Sequence, residues 1–221
     1  MAVPTRMTRL SGSDDTPRWR GRLHLGALVL AIPAAIMLTW RDRTPAAGIY
    51  ATALVALFAV SAGYHLLPLS RTWRSVMRRT DHAMIYVYIG AAYTPFCLAA
   101  VHGPLGWAVL AAVWTGALVG VAIKTVGFER TRAVSGALYM LMGWMAVVTL
   151  PAVLPILDAA ELALFAAMGA LYTGGAIVLA TRKPDPVPHV FGYHELWHAA
   201  VVAASACYFA AMWGLPGLRH G

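Results

Sequence analysis

The sequence predicts an all-α membrane protein, a seven-transmembrane helix bundle, on three observations. Seven apolar stretches, residues 23–40, 46–69, 83–100, 105–123, 134–154, 162–180 and 193–215, suit helical membrane spans, which need roughly 20 mostly apolar residues each. Charged residues make up only 12% of the chain against 60% hydrophobic, where soluble domains carry about 25% charged residues. Basic residues collect on alternate connections, as they do around membrane spans. Strand-like alternation is absent, which argues against a β-barrel.

Residues 1–21 are polar and basic and read as a disordered cytoplasmic tail ahead of a seven-helix domain over residues 22–217. The first span has a basic front but no small-residue cleavage site leading into a soluble domain, so it reads as a retained helix. Pro33, Pro95 and Pro151 lie within spans and are expected to kink or end them. Short connections favour antiparallel neighbours. The stretch RKPDPVPH before the last span holds three prolines and cannot continue a helix. Cys97 and Cys207 fall inside apolar spans and read as small core hydrophobes. Trp19, Trp40, Trp73, Trp107 and Trp213 fall near span ends, as in an interfacial belt.

The basic residues set the expected orientation. Arg6, Arg9, Arg18, Arg20 and Arg22 precede the first span, and Arg71, Arg74, Arg78 and Arg79 follow the second. Lys124, Arg130 and Arg132 follow the fourth, and Arg182 and Lys183 follow the sixth. Only Arg41, Arg43 and Arg219 fall on the other side. The positive-inside rule then places the N-terminus in the cytoplasm and the C-terminus outside, as expected of a multi-pass protein of the cell's inner membrane. The net charge of +8 is mostly this topology signal. It suits anionic lipid headgroups, and nucleic-acid binding is not expected because the charge is spread over the connections. The sequence names no protein partner.

This topology brings polar residues from distant stretches to one level. His65 ends the second span, Asp81 opens the third, and His194 and His198 open the seventh. Ionisable side chains inside membrane spans are functional candidates by default. Ser61 and His65 are four residues apart, as are His194 and His198, so a helix puts each pair on one face. Two histidines at that spacing can grip one metal ion. A third, His65, completes a three-histidine zinc site with an open fourth position for water. Asp81 is then the candidate to orient that water or take its proton, and Ser61 the candidate to bond the water or a substrate carbonyl.

Bland readings stand beside these. Asp81 alone suits a helix N-cap, and Ser61 alone suits a bond to its own helix backbone. His24, His102, His189 and His220 read as packing or interfacial groups, although His24 shares the level of the site and could replace one ligand. His82 adjoins Asp81 but projects about a quarter turn away on a helix. Glu195 completes H-E-x-x-H in HELWH, the pattern in which the glutamate is the general base of a metalloprotease. Spacing alone does not choose between Asp81 and Glu195 as base.

The motifs SAGYH, TDHAMIYVYIGAAYTP and FGYHELWH, in this order, resemble the hemolysin III family of bacterial membrane proteins. That family groups with the adiponectin and progestin receptors, and a wider superfamily adds the alkaline ceramidases. The resemblance covers nearly all seven spans. It implies a seven-helix fold with zinc near the cytoplasmic end. The family's S-x-x-x-H falls on Ser61 and His65, its third-helix aspartate on Asp81, and its last-helix H-x-x-x-H on His194 and His198. The superfamily does not demand a glutamate at Glu195, which favours Asp81 as the water's partner.

Three functions follow as expectations. The leading one is a zinc-dependent hydrolase of a lipid amide or ester, as the ceramidase relatives imply, with membrane lipid as substrate. The second is a non-catalytic channel or receptor-like protein in which zinc staples helices, in keeping with the haemolysin label of the bacterial members. The third is an intramembrane H-E-x-x-H metalloprotease.

Overall fold

The computed structural model describes residues 17–126 and 132–215. They form helices α1 (Arg22–Arg41), α2 (Pro45–Leu66), α3 (Arg71–Ala100), α4 (Pro104–Val126), α5 (Arg132–Trp144), α6 (Ala146–Val153), α7 (Ala159–Thr181) and α8 (Tyr193–Gly214). Seven segments are long and apolar enough to cross a membrane, with α5 and α6 together supplying the fifth, Val134–Val153. No strand occurs among the described residues. Outside them lie residues 1–16 of the expected tail, residues 216–217 of the expected helical domain, and Arg6, Arg9, Arg130, Arg219 and His220.

Helices α1 to α4 pack in sequence as neighbours, α7 packs on α8, and α8 returns to α1. Each helix shows the bundle only one stripe. α1 buries His24, Ala27, Ala31, Ala35 and Leu38 at helical spacing and leaves Val29, Leu30 and Ile36 62–72% exposed. Such a large apolar surface is stable against hydrocarbon and not against water. α2 and α3 are the most enclosed spans, and α7 is the most outward-facing.

Two elements depart from expectation. The apolar run of the third span starts at Ala83, but α3 starts twelve residues earlier, with the Ser70 hydroxyl accepting from the Trp73 N–H. The helix thus projects past the apolar zone and carries Arg71, Arg74, Arg78 and Arg79 on its first turns. Asp81 lies well inside it, so the N-cap reading of Asp81 is wrong. The fifth span is interrupted at Met145, whose N–H is shared between the Leu141 and Met142 carbonyls. The Tyr93 hydroxyl donates to the Gly143 carbonyl at 2.9 Å, satisfying a group that a continuous helix would pair with Val147. Pro33, Pro95 and Pro151, expected to kink or end their spans, lie inside α1, α3 and α6.

The α3–α4 contact depends on Gly120. A Cβ placed there would fall on the Tyr86 ring, and Tyr86 is fully buried. Gly120→Ala is expected to destabilise the protein by about 1–3 kcal/mol, the usual range for overpacking. Gly174→Ala is the control: a Cβ there meets nothing within 4 Å, and its effect is expected to be neutral or stabilising. Thermal melts of the two variants in detergent check this. Equal melting temperatures would remove the proposed close approach.

Candidate metal centre

Four helices converge at the end of the bundle that holds the α2–α3 and α7–α8 connections. The last turn of α2 contributes His65 and the turn before it Ser61. The third turn of α3 contributes Asp81, and the first two turns of α8 contribute Tyr193, His194, Glu195 and His198. The first turn of α1 contributes His24.

His65, His194 and His198 come together. One ring nitrogen from each lies within 4.8 Å of the others. The ring centroids are 5.2 Å apart for His65–His194, 5.1 Å for His65–His198 and 4.6 Å for His194–His198. The i, i+4 spacing on α8 produces the last of these, and the antiparallel return of the chain produces the other two. The Nε2 atoms of His65 and His194 are buried without a hydrogen-bond partner. His24 Nδ1 is orphaned as well. Buried polar atoms are nearly always paired, and the two orphaned Nε2 atoms inside the triad fit a bound cation. The residues present therefore fit a metal ion, and the three histidines could hold one.

Ser61 is buried on α2, and the Asp81 side chain on α3 is its neighbour across the helix pair. Asp81 is not one of the three clustered residues. His82 does not point clear of Asp81 as expected. Its Nδ1 lies 2.9 Å from the Arg78 carbonyl oxygen and 3.5 Å from Asp81 Oδ2.

Glu195 is 1% exposed, and both its oxygens are occupied. Oε1 pairs with Arg20 Nε at 2.5 Å. Oε2 accepts the Gly192 N–H at 2.9 Å, the reach-back half of a capping box at the start of α8. Its carboxylate is thus a cap and a counter-ion, turned to the helix start and to Arg20.

Arg20 belongs to a short strap ahead of α1. Arg18 and Trp19 donate their N–H groups to the carbonyls of His189 and Val190 at 3.2 Å each. Gly21 follows in the left-handed region at φ 77°, and a Cβ there would lie 2.6 Å from His65 Cβ. The close approach and the backbone angle both call for glycine. The last residues of the expected tail, Pro17–Gly21, are therefore docked beside the triad. In the sequence Arg20 is legible only as a topology charge. G-x-x-E at 192–195 was the one local signal for the role of Glu195, and nothing local pointed to Arg20 as its partner.

His24 is not among the three clustered histidines. Its Nε2 lies 3.0 Å from His198 Nδ1, with ring centroids 4.0 Å apart.

The fold and site define a class: a multi-pass membrane protein with a partly buried histidine triad at one end of its bundle. Within that class, the chain belongs to the hemolysin III family, since the family profile described as haemolysin-III related matches residues 14–209. The chain is 31% identical to Hemolysin-3 of Bacillus cereus over 211 residues, covering 92% of this chain and 93% of that protein. It is 30% identical to a Hemolysin-3 homolog of Bacillus subtilis over 161 residues, covering 73% and 72%. It is also 26% identical to the human monocyte to macrophage differentiation factor over 182 residues, covering 79% and 71%. That protein is a member of the PAQR family.

Proposed function

We propose that this protein is a zinc-dependent hydrolase of the cell's inner membrane that cleaves an amide or ester bond of a lipid. The N-terminus and the triad face the cytoplasm in this reading. The observation that carries it is the clustering of His65, His194 and His198, with the orphaned Nε2 atoms of His65 and His194; Ser61 and Asp81 come from α2 and α3 at the same end of the bundle.

A zinc ion in the triad supplies Lewis acidity and an acidified water. Three neutral ligands leave the dication's full charge for that purpose. Asp81 is the proton acceptor, because its carboxylate, unlike that of Glu195, is not committed to a helix cap and an arginine. Ser61 has a single O–H to donate. Directed at Asp81, it orients the base, and the role of oxyanion donor is then secondary. The low-dielectric surroundings strengthen each of these interactions.

The test is fatty-acid release from a panel of ceramides, other lipid amides and lipid esters. Protein carrying one equivalent of zinc should release fatty acid, and protein stripped by a chelator should not. Full zinc occupancy with no turnover across the panel overturns the hydrolase reading. It would leave the metal as a staple joining α2 to α8 in a channel or receptor-like protein. The protease reading has less support, because it needs Glu195 as base and both oxygens of Glu195 are engaged elsewhere.

A further inference from the structure

We propose that His24 is a positioning residue of the metal centre, fixing the ring and the tautomer of His198 from behind. The proposal rests on the reading of the triad as a metal site and extends it to a fourth imidazole that does not touch the ion.

The geometry assigns the nitrogens. His198 Nδ1 is taken by His24 Nε2 at 3.0 Å, so Nε2 is the atom His198 has left for a cation. His65 and His194 also present buried, unpartnered Nε2 atoms. All three ligands then use the same ring nitrogen. A neutral imidazole that gives its Nε2 lone pair to a metal carries its proton on Nδ1. That proton must go to an acceptor, and ligand histidines nearly always have one, usually a carboxylate, a backbone carbonyl or water. Here the acceptor is the His24 Nε2 lone pair. The opposite arrangement, with His24 donating, leaves the His198 proton on Nε2 and blocks ligation. The pair therefore has one metal-competent proton placement, in which His24 carries its own proton on Nδ1, a buried atom that has no hydrogen-bond partner of its own.

Packing holds His24 in that position. It is buried, and the Phe58 ring lies edge-on at 5.2 Å. Gly21, one turn earlier, seats the start of α1 directly on His65. The helix that carries the acceptor is thus registered against a ligand it does not supply.

The experiment measures zinc affinity of the full chain in detergent by chelator competition, and records the visible spectrum of the cobalt-loaded protein. His24→Phe keeps a ring and removes the acceptor, and should weaken zinc binding about 10–100-fold. His24→Gln restores an acceptor oxygen and should recover most of that loss. The cobalt spectrum of His24→Gln should match that of the unaltered protein, since the three ligands are unchanged. Zinc affinity of His24→Phe equal to that of the unaltered protein overturns the proposal. A cobalt spectrum that loses one nitrogen ligand in His24→Gln also overturns it, by making His24 a ligand. If the unaltered protein binds neither metal, the metal reading itself falls, which is a separate result. Melting of the metal-free forms separates lost affinity from lost fold. If His24→Phe does not fold, His24→Leu takes its place as the variant without an acceptor.

Discussion

Alanine at His65, His194 or His198 should each abolish stabilisation of the protein by added zinc. An ion that binds only the folded state stabilises it by mass action, by about 2.7 kcal/mol at a hundredfold excess over Kd and about 4.1 kcal/mol at a thousandfold excess. The unaltered chain should therefore melt well above its metal-free form. Two of the ligands lie one turn apart on α8, and the third comes across from α2. Removing any one leaves two imidazoles, and the loss from His65→Ala also unties α2 from α8. Each variant should melt at the same temperature with and without zinc. His102, exposed on the α3–α4 connection, serves as the control, and His102→Ala should keep the full zinc response. A His194→Ala variant that zinc still stabilises as strongly as the unaltered chain would place the ion elsewhere.

The triad was legible in sequence because its three members share a level fixed by helix count alone. Spans two and seven both have an end at the same face, and the two i, i+4 pairs lie at those ends. That inference needs only chain direction and helix length. The misses share the opposite character. Glu195 fits a protease motif by spacing, yet its role is set by Arg20, 175 residues away. The break at Met145 is stabilised by Tyr93 from α3, fifty residues earlier than the carbonyl it caps. The early start of α3 was hidden because Arg71–Thr80 is too polar to register as a membrane span, although a helix leaving the membrane has no reason to stop there. His24 was flagged for its level, but whether a fourth imidazole ligates or supports is decided by ring orientation, and periodicity does not carry that information.

Asp81→Asn and Glu195→Gln should separate the two carboxylates by opposite signatures. Asp81 is not among the three clustered residues, so Asp81→Asn should retain zinc at full occupancy. The amide cannot accept a proton, and lipid hydrolysis should fall about 10²–10⁴-fold, the usual contribution of a general base. The amide keeps the shape of the carboxylate, so the fold should be little changed. Glu195→Gln keeps an oxygen for the Gly192 N–H but loses the charge opposite Arg20. Hydrogen bonds to charged groups contribute on the order of 1.5–3 kcal/mol, and the partial exposure of Arg20 places this pair at the lower end. Its melting temperature should fall while zinc content and turnover per folded molecule stay near those of the unaltered protein. Zinc analysis, a thermal melt and the fatty-acid assay on both variants decide the matter. The reverse pattern, turnover lost in Glu195→Gln and kept in Asp81→Asn, would make Glu195 the base. It would also require its carboxylate to leave both Arg20 and the start of α8 during the reaction.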